Sequence, residues 1–140
     1  MKKKKDKSKV FMSYSHKDER FAMGLREALK IIPGVVVLDP SSERIEGKNI
    51  ADNISKMLKK SDIVITLLSP ESTNNPNVLF ELGMAVGLGK KVIPIAKRNT
   101  DISSIPFNIR NRKLIVAADP RSAAKKLAKH LVHLLGLRKN

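Results

Sequence analysis

Short apolar runs alternate with helix-period segments along this chain, and the alternation restricts the fold more than any single residue does. Lys9 to Tyr14, Val35 to Leu38, Asp62 to Leu68, Val92 to Ala96 and Leu114 to Ala117 are each of strand length. Val35 to Leu38 is apolar throughout, as expected of a strand covered on both faces. Between the runs, Phe21, Leu25, Ala28, Leu29 and Ile32 predict a helix over about residues 17–31, stopped by Pro33-Gly34. Ile50, Ile54, Met57 and Leu58 describe one face of a second helix ending at Lys59-Lys60. Asn75-Pro76 opens a third helix, which Gly87 or Gly89 can end. Asp119-Pro120 opens a last one, with its stripe at Ala124, Leu127, Ala128, Leu131, Leu134 and Leu135. Crossovers of this length cannot be hairpins, and they are right-handed. The simplest closure is α/β: a three-layer flavodoxin-like sandwich, with a five-stranded parallel sheet in the order 2-1-3-4-5 and helices on both faces. The polar stretch 97–112 is long for such a domain unless it is functional or holds a short helix.

In that strand order a crevice opens between the C-terminal ends of the first and third strands. Three polar loops reach it: Ser15 to Asp18, Asp39 to Gly47, and Ser69 to Asn77. The third helix adds Glu81 behind the last of these, which makes Glu81 the leading candidate for chemistry. Ser15 and Asp18 have the S-x-x-D spacing of a capping box, a reading that accounts for both. His16 lies in the same loop and could meet phosphate or ribose. Asp39 precedes a proline, where aspartate commonly serves the turn. Glu46 lies in a loop over the crevice and could accept ribose hydroxyl protons.

Composition removes several alternatives. The chain has no cysteine, which excludes disulfides, thiolate metal sites and a thiol nucleophile and fits a reducing cytoplasm. Its 3 histidines, His16, His130 and His133, offer a metal site little to work with, and none is expected. No apolar run is long enough to span a bilayer, and the basic N-terminus is not followed by a signal core, so no transmembrane segment and a cytoplasmic location are expected. No Gly-x-Gly-x-x-Gly or Walker pattern occurs. The net charge of +15 is uneven: residues 1–9 carry six lysines against Asp6, and residues 121–140 carry six Lys+Arg and no acid. Residues 1–8 read as a basic disordered tail. With Tyr14 the only Tyr or Trp, the bases for stacking on nucleic acid are missing, and no specific nucleic acid is expected.

Three segments together resemble a TIR (Toll/interleukin receptor) domain. Phe11-Met12-Ser13-Tyr14-Ser15 with Asp18 resembles the family's first-strand motif, and Asp39 through Ile45-Glu46-Gly47 resembles its BB loop. Ser61 to Pro70, then Glu81-Leu82-Gly83-Met84-Ala85 to Ile95, resemble the half best shared by bacterial TIR domains. The resemblance implies a single TIR domain over residues 9–137, and homotypic association with other TIR domains as one mode of action. It implies NAD+ as a substrate rather than a cofactor, cleaved at the nicotinamide–ribose bond by hydrolysis or cyclisation in prokaryotic defence or signalling. Glu81 falls on the family's catalytic glutamate, while its tryptophan four residues earlier is Asn77 here. Ser15, His16, Asp39, Glu46 and Asn77 are the positions expected to line the substrate. Asn75 to Lys90 also resembles nucleoside deoxyribosyltransferases, which cleave another N-ribosidic bond. The alternative is a non-catalytic TIR module acting through the BB loop and the helix after it.

Overall fold

The computed structural model describes residues 7–40, 50–105 and 114–135. Its strands are β1 (Ser8–Ser13), β2 (Val35–Leu38), β3 (Ile63–Leu68), β4 (Lys91–Lys97) and β5 (Ile115–Ala117), and its helices are α1 (Glu19–Lys30), α2 (Ile50–Lys60), α3 (Pro76–Gly87) and α4 (Pro120–Leu135). The strands form one sheet in the order β2-β1-β3-β4-β5, and all four pairings are parallel. This is the flavodoxin-like arrangement anticipated from the alternation of elements.

Period-two alternation sorts the strand residues onto two apolar layers. Val10, Met12, Ile63, Ile65, Leu67, Ile93 and Ile95 pack with α1 and α4 through Phe21, Leu25, Leu29, Leu127 and Leu131. On the other face Phe11, Val64, Leu68, Val92 and Ala96 pack with α2 and α3 through Ile54, Leu58, Val78, Leu82 and Ala85. Burying each such aliphatic side chain is worth roughly 1.5 to 3 kcal/mol. Helices therefore cover both faces.

Local chemistry sets the element ends. Gly34 ends the α1–β2 turn at φ 83° and Gly89 follows α3 at φ 71°, the left-handed region that glycine enters without a Cβ penalty. Asn75 caps α3, its Oδ1 accepting from the backbone N–H of Asn77 at 2.9 Å and Val78 at 3.1 Å, with Pro76 at the first helical position. Pro94 sits inside β4, where a missing N–H would ordinarily break a ladder. β5 pairs with β4 only from Ile95 onward, so Pro94 faces no β5 residue. The long polar stretch after β4 does hold a short helix, a 3-10 turn at Ile102–Ser104, which puts Ile105 in the core at 2% exposure.

One local expectation changes. The helix expected from about residue 17 begins as a 3-10 turn, His16–Asp18, and becomes α-helical at Glu19. Ser15 caps that turn, accepting from the Lys17 N–H at 3.3 Å, but Asp18 makes no capping bond. Its carboxylate is drawn instead into the interior.

Candidate active site

Glu81 lies in the second turn of α3, on the same side of the helix as Val78, Leu82 and Ala85, and it is 8% exposed. It reaches the C-terminal end of β1, where Ser13 Oγ donates to Glu81 Oε1 at 2.7 Å. Ser13 shares its strand face with Phe11, so a serine stands where the pattern calls for an apolar residue. Burial pushes the Glu81 carboxyl up to about 7; the Ser13 hydroxyl pulls it back down and the nearby Asp39 carboxylate pushes it further up. A carboxylate set between an apolar layer and a crevice, titrating near neutrality, is the usual signature of a working acid or base.

Thr66 is fully buried in β3, in register with Ser13 and on the same strand face as Val64 and Leu68. Its Oγ1 has no hydrogen-bond partner, one of two such buried side-chain atoms among the described residues; the other is Arg26 Nε. An unsatisfied buried hydroxyl costs on the order of 1–3 kcal/mol, and its position beside Ser13 puts that cost at the crevice.

Asp39 is more than a turn residue. It is 5% exposed at the end of β2, and its Oδ2 accepts from Tyr14 Oη at 2.7 Å and from Arg26 Nη1 at 3.4 Å. This ties the end of β2 to the end of β1 and to the middle of α1. Asp18 does parallel work on the other side of β1. Its carboxylate accepts from Ser69 Oγ at 2.8 Å and lies 3.5 Å from Lys97 Nζ, joining the start of α1 to the ends of β3 and β4. Lys97 also stands 5.6 Å from the centre of the Phe21 ring. The loop after β3 is a compact turn, in which Ser72 Oγ accepts from the Ser69 N–H at 2.8 Å and Asn75 Nδ2 reaches Ser15 Oγ at 3.4 Å.

The structure thus brings Glu81 and Asp39 together and ties the buried Ser15 to Asn75 at the start of α3. Asn77 is exposed one helical turn before Glu81, on the rim above it. His16 is also at the rim, its side chain 86% exposed and its Nδ1 3.6 Å from Glu19. Glu46 lies outside the described residues. Sequence reasoning passed over Ser13, Thr66, Ser69 and the Tyr14–Asp39–Arg26 contact. The available signal was the presence of Ser13 and Thr66 at apolar positions of central strands. Among the described residues no three His, Cys, Asp or Glu side chains are grouped as a metal ion would need.

A doubly wound parallel sheet with a buried carboxylate at its switch point defines a class of crevice-bearing α/β domains. Within it, the family model of the TIR domain matches residues 10–132, and the chain belongs to that family. Comparison with curated proteins finds no match. Several solved structures share the fold. The TIR domain of the Toll-related receptor TRR-2 from Hydra magnipapillata superposes with a TM-score of 0.71 at 17% identity, covering 90% of this chain and 97% of that one. The TIR domains of the activated Roq1 resistosome, which directly recognises the pathogen effector XopQ, give 0.60 at 21%, covering 89% and 73%. The Clostridium botulinum CMP N-glycosidase BcmB gives 0.61 at 19%, covering 86% and 99%.

Proposed function

We propose that this TIR domain is an NAD+ nucleosidase that cleaves the nicotinamide–ribose bond, with Glu81 as the essential carboxylate. The observation that carries the reading is the placement of Glu81, buried at the crevice with Ser13 as its hydrogen-bond donor. The nicotinamide of NAD+ is a cationic pyridinium and leaves as a neutral molecule, so the reaction needs no general acid, unlike glycoside hydrolysis with its two carboxylates. Positive charge develops on the ribose as the bond breaks, and an anion placed beside it lowers the barrier by differential stabilisation. At about 4 Å and an effective dielectric near 20 the attraction is on the order of 4 kcal/mol, roughly a thousandfold in rate. Water then completes hydrolysis to ADP-ribose, or an internal nucleophile closes a cyclic product.

Glu81 must be ionised for this role. Activity in the form kcat/KM should therefore rise with pH through about 7, the value that burial confers on the free enzyme. The bound pyridinium favours the charged form, so kcat should depend on pH at a lower range. Fold likeness to a CMP N-glycosidase supports an N-ribosidic reading of the crevice, and the likeness to TIR domains of a resistosome supports work in assemblies, in a defence or signalling setting. Asn77 would stand at the rim where ribose and nicotinamide enter, with Ser15 buried behind it, and Asp39 acts through Tyr14 and Arg26 to hold the ends of β1 and β2 against α1.

The direct test is incubation of concentrated purified protein with NAD+ and chromatographic detection of nicotinamide. Release by the wild type and its near absence in Glu81→Gln is the expected result. Equal release by both would remove Glu81 from the chemistry. No release from either, at high concentration, would leave the homotypic interaction module as the function; the half-exposed Met23 on α1 and Phe80 on α3 are apolar positions open to such contacts.

A further inference from the structure

In a parallel α/β sheet every strand starts, and every crossover helix ends, at the same edge, opposite the crevice. We infer that this edge docks on an anionic lipid bilayer. Lys7 and Lys9 stand at the start of β1, Lys59 and Lys60 at the end of α2, and Lys91 at the start of β4; Lys9 is part-buried and the others are exposed. Hydrogen bonds and strand register hold them close: Lys9 N–H donates to Asp62 at 2.8 Å, the Asp62 N–H donates to the Lys9 carbonyl at 2.8 Å, and Lys91 is in register with Ile63. Lys90 Nζ donates to the carbonyls of Lys59 at 3.0 Å and Ser61 at 2.9 Å.

Helix C-termini attract lysine for their own sake, and Lys90 is accounted for by the α2 carbonyls it caps. That explanation does not extend to Lys7, Lys9 and Lys91, which begin strands. Nor does it explain the apolar residues set among the cations. Ile31, directly after α1, is 81% exposed while its neighbour Ile32 packs on the core, and Leu88, after α3, is 38% exposed. Acids are scarce here. Among the described residues Glu27, paired with Lys30 at 3.3 Å, and Asp62 lie toward this edge, whereas Asp18, Asp39, Glu71, Glu81, Asp101 and Asp119 lie toward the crevice.

Side-chain chemistry selects lipid over nucleic acid. Every cation described at the edge is a lysine, a compact point charge suited to a diffuse anionic surface, without the arginine forks or aromatic platforms that read phosphates and bases. Exposed aliphatic residues flanked by lysines match an interface where headgroups meet acyl chains. Docked in this way, the domain would hold its crevice away from the membrane.

The full chain should sediment with vesicles containing phosphatidylserine, stay free of pure phosphatidylcholine vesicles, and be released by salt. Lys59→Ala/Lys60→Ala/Lys91→Ala should weaken the partition about a hundredfold, at roughly fivefold per surface lysine. Lys17→Ala/Arg121→Ala/Lys125→Ala removes equal charge at the other end and should leave binding within a fewfold. Ile31→Ser should weaken binding without altering its salt dependence. Thermal melting verifies that each variant is folded. Equal losses from the two triple variants would overturn the proposal, because the attraction would then be net charge alone. So would tighter binding to duplex DNA, measured by fluorescence anisotropy and indifferent to Ile31→Ser, which would assign the edge to nucleic acid.

Discussion

Burial that lifts the Glu81 carboxyl to about 7 also links the stability of the fold to pH. Below the ordinary value of 4.5 both folded and unfolded chains hold the proton. Between 4.5 and about 7 the folded chain alone keeps it, so stability falls as pH rises through that window, and above it the loss is complete. The size is on the order of 3 kcal/mol. Glu81→Gln should therefore match the wild type near pH 4.5 and exceed it in urea resistance above pH 7, by up to that amount, while NAD+ cleavage is lost. A variant that is less stable than wild type at high pH would show that the carboxylate is held by more than Ser13. Ser13→Ala removes the donor to the charged form, so the rising limb of the pH–rate profile should move to higher pH. A uniform drop in rate at every pH would instead mean that Ser13 only packs. Glu81 itself was legible in sequence, because an N-cap, a proline and an acid lie within a few residues of one another. The Ser13 partner is 68 residues away, and the Asp18 contacts with Ser69 and Lys97 span 51 and 79. No local signal encodes such pairs. Asp18 shows the cost of reading locally: its spacing from Ser15 matches a capping box, but a buried hydroxyl across the sheet won the carboxylate.

At the scale of elements, the α1–α4 contact is set by one glycine. A Cβ at Gly24 would stand 2.8 Å from Pro120 Cγ and 2.9 Å from its Cβ, against a ring that has no rotamer to move into. Gly24→Ala gains about 1 kcal/mol of helix propensity but must push the first turn of α4 aside. A net destabilisation of about 1–2 kcal/mol is expected in chemical unfolding, and a neutral or stabilised variant would show that α4 shifts freely. Asn75 works at the other face. Asn75→Ala loses the cap of α3 and its contact with Ser15, for about 1 kcal/mol of stability, and a disproportionate loss of NAD+ turnover would follow because the frayed first turn lies directly before Glu81. Strand and helix identities were legible at this scale because periodicity and turn residues are local. The boundary of α1 was not, since the 3-10 start depends on where Asp18 is pulled, and neither was the tolerance for Pro94, which depends on how short β5 is.

For the whole molecule, a crevice formed by loop ends on a small domain has few walls, and under the proposed function neighbouring copies would supply the rest. Specific NAD+ cleavage should rise with protein concentration, and rise further when the chain is mixed with phosphatidylserine vesicles at fixed concentration. Constant specific activity over a wide dilution range would argue for a self-sufficient site. The parallel sheet bears on this directly, because it gives the molecule a direction: strands start at one edge, and the crevice opens at the other. Copies standing on a common plane by their starting edges would share one upward axis. Two of them would meet by turning about that axis alone, with tumbling already spent, so that the orientational part of assembly is largely settled before any contact between them is made.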